Sequence, residues 1–386
     1  MRILKLIIKN SLRHKLRTIL TIVGISIAVI AFGLLRTVVT AWNSGVEASA
    51  ANRLITRQAI SFIFPLPLAY RDQIAKIPGV DVVTYANWFQ GVYIDKNQFF
   101  ARLAVDPETI FDVYPEFLIT DEEYQTFLKE RNSCIIGQDI ATQYNLKIGD
   151  LMSIEGDIYP GDWQFVIRGI YKPRDKTTDA TQMFFHWDYL NERMKEFGTG
   201  RENEVGWYII KIKDPSQTGN VSEQIDALFK NSRAETKTES ERAFQQGFVQ
   251  ASSAIITSMN VISFVIIGII MLVLGNTMIM SARERTREYA VFKTIGFSGN
   301  HMIGLILGES LFISALGGAL GLFLSFPIIE GFGAVIPRGF FPVFELEPIT
   351  LVFAVSSVIL IGVAASLFPI QKALRTSIVD GLRFIG

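Results

Sequence analysis

The sequence predicts an integral membrane α-helical protein with four transmembrane helices, a large α+β extracytoplasmic domain and a helical stalk. Of the 386 residues, 49% are hydrophobic, and they are concentrated in four long runs. Each run reaches the ~20 residues that a helix needs to cross a bilayer core about 30 Å thick. Between the first and second runs, residues 42–248 show mixed charge, strand-like alternation and Gly/Pro/Asp turns, which are typical of a water-soluble domain.

The basic residues predict the orientation of the chain, although its formal net charge is zero. They lie before the first apolar run, between the second and third runs, and after the fourth run. In the loop between the third and fourth runs, Arg338 is the only basic residue. Because cytoplasmic loops are enriched in Lys and Arg, we expect both termini in the cytoplasm and the large domain outside. These cations lie close to membrane ends, so we expect no nucleic-acid partner.

The predicted segments are an amphipathic cytoplasmic N-terminal helix at 1–16, a first span at 17–41, the extracytoplasmic domain with stalk helices at 42–248, a second span at 249–282, a cytoplasmic coupling helix at 283–300, a third span at 301–330, a short external loop at 331–348, a fourth span at 349–370 and a cytoplasmic C-terminus at 371–386. The N-terminal helix is expected to lie on the membrane surface, and a plain extension of the first span is a compatible alternative. Residues 48–50 imitate a signal-peptide cleavage site. However, the first apolar run is longer than the hydrophobic region of a typical signal peptide, and residues 48–50 lie too far beyond it. An uncleaved first span is therefore favoured.

The external domain is predicted to form two lobes with boundaries near Thr109 and Tyr171. We expect the first span to continue through 46–57 as a stalk helix, and a second stalk helix to begin at a capping box of Thr238 and Glu241. A single cysteine, Cys134, excludes an intrachain disulfide and is expected to pack as a small apolar residue. Strand-like alternation covers 81–88, 91–94, 99–105, 151–154, 163–171, 180–189 and 207–213, and helical patterns cover 70–77 and 222–229.

A search for catalytic motifs predicts no active site in this chain. It contains no Gly-Lys dipeptide, which excludes a Walker A loop, and neither a G-x-S-x-G elbow nor an H-E-x-x-H motif. The three histidines lie in three different regions, so we expect no metal site. The acidic triplet at 121–123 is explained as the first turn of a helix capped by Thr120.

The charged segment between the second and third spans is the candidate partner-binding site. Glu284 with Arg287, and Arg285 with Glu288, are opposite charges at i,i+3 spacing. An apolar stripe of Tyr289, Val291, Phe292 and Ile295 follows, and Gly296 suits a helix C-terminus. Such a stripe must be shielded from water, either by the membrane surface or by a groove on a partner. The candidate residues are Arg283, Glu284, Arg287, Glu288, Val291, Phe292, Lys293, Ile295 and Gly296.

A second group of residues is predicted to pack transmembrane helices together. Small residues let helices approach closely. Glu309 is a carboxylate within the third span, where a charge is costly, so it should face protein or a polar partner. A structural hydrogen bond is favoured for it over a substrate or proton site. The candidates are Gly24, Ala28, Glu309, Gly317, Gly318 and Gly321.

These patterns together resemble the FtsX/MacB-type ABC transporter permeases. The resemblance rests on 283–296, Glu309 and 317–321, and on the chain ending at 368–375 and 379–383. In the external domain it rests on 134–141, 146–150 and 165–171, which are similar to a MacB-like periplasmic core. The match covers the four-span plan and the position of the large domain, and it says least about 172–233.

The resemblance implies a permease subunit that couples ATP hydrolysis to movement of its extracytoplasmic domain, a mechanism called mechanotransmission. It implies that the candidate partner is a cytoplasmic ABC ATPase dimer holding ATP and Mg²⁺, with no cofactor on this chain. It also implies a bacterial inner-membrane location, a second permease subunit in a homodimer and, as a further partner, a periplasmic adaptor or substrate carrier. The substrate would be a lipid, lipoprotein, peptide or drug. The alternative is a transmembrane regulator that activates an extracytoplasmic hydrolase without transport.

Overall fold

The computed structural model describes residues 2–96, 99–198, 200–336, 341 and 343–378. It divides into a membrane unit (1–40, 253–333 and 344–386) and a sheet domain (41–252 and 334–343). Part of the predicted external loop, at 337–340 and 342, lies outside the described residues. So do 379–386, which include the end of the predicted C-terminus and one of the stretches that carry the family resemblance.

The membrane unit is built of helices. Within the described residues, four helices are long and apolar enough to cross a membrane: α2, α10, α12 and α13 below. Their apolar side chains pack on one another in a core that includes Ile25, Leu274, Ile306 and Ile361. The helices of this unit are α1 (Arg2–Ser11), α2 (Lys15–Ala48), α10 (Ser253–Glu284), α11 (Thr286–Thr294), α12 (Gly299–Val335) and α13 (Pro348–Arg375).

The sheet domain is mixed α+β. Its strands are β1 (Arg53–Gln58), β2 (Leu66–Pro67), β3 (Val80–Trp88), β4 (Gly91–Val92), β5 (Ala101–Val105), β6 (Phe117–Leu118), β7 (Ser133–Gly137), β8 (Leu151–Gly156), β9 (Gly161–Pro173), β10 (Gln182–His186), β11 (Glu204–Val205), β12 (Trp207–Ile212) and β13 (Thr236–Ser240). Its helices are α3 (Tyr70–Ile74), α4 (Ile110–Val113), α5 (Asp121–Lys129), α6 (Gln138–Tyr144), α7 (Trp187–Phe197), α8 (Thr218–Leu228) and α9 (Glu241–Ala251).

One continuous sheet organises this domain. Across the described chain it has 11 strands, in the order β13-β1-β12-β3-β5-β10-β7-β9-β8-β4, with β6 paired to β9. The β5–β10 and β7–β9 pairs are parallel, and the neighbouring pairs are antiparallel. Because successive side chains on a strand point to opposite faces, Leu54 packs in one buried cluster and Ile55 in another. The sheet runs across both predicted lobe boundaries, so the two-lobe prediction is wrong.

The stalk prediction through 46–57 is also wrong. Helix α2 ends at Ala48, and residues 53–58 form β1 between β12 and β13. Hydrogen bonds to strands on both sides stabilise β1, and so does the burial of Leu54 and Ile55. Together they favour a strand here over a continuation of helix α2.

Two further local predictions differ from the structure. Thr238 lies in β13 and donates to Asp226, whereas the N-cap of α9 is Ser240, whose hydroxyl accepts from the Ala243 amide at 3.1 Å. The strand predicted at 180–189 is β10 followed by α7, which begins at Trp187. The capping box at Thr120 and Glu123 is present, and Cys134 is fully buried.

Candidate coupling site in the membrane unit

The candidate site is built around Arg285, which interrupts the helix between α10 and α11. Its backbone lies at φ −102° and ψ 11°, outside helical values. Its amide still donates to the Ser281 carbonyl at 3.2 Å, and the Tyr289 amide donates to the Arg285 carbonyl at 3.0 Å. The backbone therefore leaves helical values at Arg285 while its main-chain hydrogen bonds continue across the junction.

The Arg285 side chain is buried in an ion pair with Glu309 of α12. Nη1 donates to Oε2 at 2.7 Å, and 3% and 6% of the two side chains are exposed. Nη2 donates to the Asn10 carbonyl of α1 at 2.7 Å. Breaking such a pair leaves an uncompensated buried charge, which costs about 3–5 kcal/mol. One guanidinium therefore joins the α10–α11 junction to α12 and to the end of α1.

A second, more exposed set of ionic contacts joins the same junction to the N-terminal segment. Glu284 accepts from both terminal nitrogens of Arg17, at 2.8 and 3.1 Å. Glu288 pairs with Arg13, and His14 Nε2 lies 3.2 Å from Glu284 Oε2. A bidentate Arg–carboxylate contact fixes orientation better than a single bond does.

These contacts replace the pairs predicted at i,i+3. Glu284 pairs with Arg17 rather than with Arg287, and Arg285 pairs with Glu309 rather than with Glu288. The physical reason is the break at Arg285, because residues on its two sides do not follow one helical face. Arg283 and Arg287 are both exposed.

The far end of α11 is fixed by a glycine and a lysine. Gly296 has φ +94°, which a residue with a side chain rarely adopts. Its amide donates to the Lys293 carbonyl, and the Phe297 amide donates to the Phe292 carbonyl at 3.0 Å, a helix-ending pattern typical of glycine. Lys293 Nζ donates to the Leu374 and Thr376 carbonyls at 3.0 and 2.6 Å. The end of α11 is thereby tied to the end of α13.

The predicted apolar stripe on α11 is divided between the protein interior and the surface. Tyr289 is buried at 3% exposure, and burial raises its pKa. Phe292 is half-buried and stacks on Phe297, with ring centroids 5.2 Å apart. Val291 and Ile295 are 38% and 70% exposed. The unpartnered part of the stripe is therefore the Val291–Ile295 face.

Sequence reasoning paired Arg285, the central residue of this site, with Glu288 and left it out of the candidate residues. It proposed Glu309 and the charges around Arg285, but it did not connect them. The available signal was the carboxylate itself, because a buried Glu within an apolar span requires a cation. Arg13 and Arg17 belong to the basic residues before the first span, and nothing in a local pattern pairs them with α10 and α11.

The glycines of α12 allow close approach of other helices. A Cβ on Gly317 would lie 2.7 Å from Ile25 Cβ, one on Gly318 would lie 2.6 Å from Val358, and one on Gly321 would lie 2.8 Å from the Ser26 carbonyl oxygen. Ala28 is buried. By contrast, among the residues that the structure describes, no neighbouring atom lies within 4 Å of a Cβ built on Gly24, so the close contact predicted there is not made by these residues.

Among the residues that the structure describes, no three His, Cys, Asp or Glu side chains are placed to hold a metal ion. The site described above can bind and orient neighbouring elements, because its groups are ion pairs, capping contacts and an exposed apolar face.

Two family models match the chain. One describes a MacB-like periplasmic core domain and matches residues 18–228, and the other describes an FtsX-like permease C-terminal region and matches residues 260–378. An uncharacterized ABC transporter permease, MJ1507 of Methanocaldococcus jannaschii, is 24% identical over 97% of this chain and 96% of its own length. A macrolide export ATP-binding/permease protein MacB of Campylobacter fetus is 26% identical over 56% of this chain, which spans only 33% of that protein.

Solved structures of isolated domains also align. The periplasmic region of MacB from Actinobacillus actinomycetemcomitans has a TM-score of 0.38 at 10% identity, covering 53% of this chain and 95% of that one. The extracellular domain of the transporter YknZ from Gram-positive bacteria has a TM-score of 0.36 at 12% identity, covering 49% of this chain and 100% of its own. With both family models matched in this order, the chain belongs to the MacB/FtsX-type ABC transporter permeases.

Proposed function

We propose that this chain is a permease subunit that couples ATP hydrolysis by a separate ABC ATPase to movement of its sheet domain, for export or extraction of an amphiphilic substrate. The substrate would be a lipid, lipoprotein, peptide or drug. ATP and Mg²⁺ would be held by the ATPase. Two permease subunits would act with a pair of ATPases, and a periplasmic adaptor or carrier would be a further partner.

The observation that carries this proposal is the set of contacts around α11. The helix is short, it exposes an apolar face at Val291 and Ile295, and it is tied by side chains to α1, α12 and α13. A partner that moves α11 would therefore move three other helices with it. A helix lying on the membrane surface would have no need of such connections.

The orientation that this function requires is supported by the position of the cations. Arg13, Arg17, Arg283 and Arg287 lie at one end of the apolar helices α2 and α10. Because positive residues remain in the cytoplasm, we place α1 and α11 on the cytoplasmic side, where an ATPase acts, and the sheet domain on the opposite side.

A photo-crosslinking experiment in cells tests the partner. A photoreactive amino acid placed at Ile295 is expected to form an adduct with a protein that carries ABC ATPase motifs, identified by mass spectrometry. The same amino acid at Ile148, which is also an exposed apolar residue but lies in the sheet domain, is the control. The proposal fails if the ATPase adduct is absent at Ile295, or if it forms equally at Ile148.

A further inference from the structure

The sheet domain holds an apolar cavity between the sheet and helix α9. Its volume is about 290 Å³, roughly the volume that ten water molecules occupy in the liquid. Its walls are mainly aromatic and aliphatic, and they include Trp88, Leu103, Phe184, Trp207, Phe244 and Phe248. Water in such a space would find few hydrogen-bond partners, whereas an apolar ligand would remove its own surface from water.

A second cavity of about 270 Å³ adjoins the first, and we call it the polar compartment because several charged side chains line it. Both cavities are lined by Tyr114, Phe117, Gln182, Glu241 and Gln245. The apolar and the polar compartment are therefore neighbours that share these residues as walls. Together the two compartments fall in the size range of small-molecule sites, about 300–1,000 Å³.

The polar compartment has an excess of negative charge. Its arginines are Arg53 and Arg174, and its carboxylates are Glu116, Asp175, Asp179 and Glu241. Arg53 is already engaged by Glu116 and Glu241, with its Nε 2.8 Å from the latter. Burial raises the pKa of Asp179, which favours its uncharged form. If Asp179 is left out of the count, three carboxylates still face two arginines.

Asp175 is the carboxylate best placed to meet a ligand. Half of its side chain is exposed. Hydrogen bonds from Thr177 and Thr178 lower its pKa, so it is ionised at neutral pH. Arg174 is close by, with its Nε 3.9 Å from Asp175 Oδ2, at the limit of an ion pair. A positively charged group entering this compartment would find an ionised carboxylate.

We propose that the two cavities form one binding site for a single-chain amphiphile, with its aliphatic tail in the apolar compartment and a cationic, amine-bearing head group in the polar one. The apolar walls account for the tail, and the excess of carboxylates accounts for the charge of the head. This site narrows the substrate class given in the proposed function. Its physiological role rests on that proposed function.

Tryptophan fluorescence of the full chain in phosphatidylcholine nanodiscs tests this site. The probe is dodecylamine carrying a terminal bromine atom, which quenches nearby indoles, and the matched anionic probe is dodecanoate with the same terminal bromine. The amine should give saturable quenching that disappears in the W88F/W207F variant. The anionic probe should give only the non-saturable quenching of bilayer partitioning.

Two variants test the compartments separately. Ala101→Phe places a ring in the apolar cavity and should weaken amine binding more than about tenfold, because several methylene groups would lose their burial. Asp175→Asn should weaken it about two- to fivefold, as expected for one exposed ionic contact. Asp162→Asn, an exposed carboxylate outside both cavities, is the control and should leave binding unchanged.

The outcomes separate this inference from the proposed function. Binding is measured without ATPase or nucleotide, so it can fail while ATPase coupling holds, or hold while coupling fails. Saturable quenching by the anionic probe would overturn the head-group assignment. Absence of saturable quenching by the amine, or its persistence in W88F/W207F, would overturn the site.

Discussion

Two buried arginines, Arg285 in the membrane unit and Arg53 in the sheet domain, show how differently the two regions are held together. Each is about 3% exposed, and each is neutralised by carboxylates from elements distant in sequence. Arg53 lies on β1, which hydrogen bonds to strands on both sides. Arg285 lies at a helix break, where the contacts to α1 and α12 described above are made by side chains.

The comparison teaches that equal burial does not mean an equal role. In the sheet domain the ladder would hold β1 in register without the Arg53 ion pairs, so these pairs add local stability. In the membrane unit the guanidinium of Arg285 binds both α12 and α1, alongside the apolar packing of Ile7 on Gly308. We therefore expect substitution of Arg285 to change both stability and coupling, and substitution of Arg53 to change stability alone.

The largest effect is expected for Arg285→Ala. Glu309 would be left buried without its cation, which should lower the free energy of unfolding by about 3–5 kcal/mol and abolish stimulation of the ATPase. Unfolding can be followed in mixed micelles by detergent titration. The double variant Arg285→Met with Glu309→Leu should recover most of the stability but not the coupling. A double variant as unstable as Arg285→Ala would contradict the ion-pair account.

A similar loss of stability without loss of coupling is expected for Arg53→Ala. Two carboxylates, Glu116 and Glu241, would lose their buried cation, again at a cost of about 3–5 kcal/mol. The neighbouring Arg57→Ala, which removes a longer contact of 3.3 Å to Glu239, should cost only about 0–1 kcal/mol. ATPase stimulation per folded molecule should be unchanged in both variants. Its loss in Arg53→Ala would remove the contrast between the two regions.

A smaller effect is expected at the helix contacts of the membrane unit. Gly321→Ala places a Cβ 2.8 Å from the Ser26 carbonyl oxygen and should cost about 1–3 kcal/mol through strain. Gly24→Ala meets no atom within 4 Å and should be neutral or slightly stabilising. Both are measured by the same titration. Equal effects at the two glycines would show that the α2–α12 contact is not the one described.

The smallest effect concerns the pH dependence of the sheet domain. His186 is buried, and desolvation lowers its pKa below the ordinary value of about 6.5. Because the unfolded chain takes up a proton first, the stability contributed by neutral His186 is present above that ordinary value and is lost as the pH falls through the folded pKa. His186→Gln should flatten this part of the stability curve. An unchanged pH profile would contradict the assignment.

The sequence predicted the membrane unit better than the sheet domain because a span is a local property. Length and hydropathy are sufficient to place α2, α10, α12 and α13. The identity of β1 was missed because its partners, β12 and β13, lie far along the chain, and the same stretch reads as a helical continuation of α2. The start of α7 at Trp187 was missed because alternation in β10 runs into it without a proline or glycine.

The sequence analysis named several residues of the candidate site but not the contacts between them. Gly296 as a helix end and Glu309 as a carboxylate that needs a partner follow from rules of local chemistry. The Arg285–Glu309 pair and the contacts of Arg13 and Arg17 follow from how helices distant in sequence pack, and no spacing rule encodes that. The predicted i,i+3 pairs failed because they assumed one unbroken helix across Arg285.

The measurement that tests the central claim most directly is stimulation of the ATPase by the permease in proteoliposomes, with Val291 and Ile295 both changed to Ser. These residues form the exposed face of α11, and the matched control changes Ile148 and Leu151, which are about 50% exposed in the sheet domain. We predict that the α11 variant inserts and folds but no longer stimulates ATP hydrolysis, while the control stimulates fully. Full stimulation by the α11 variant would contradict the claim that this face receives the ATPase.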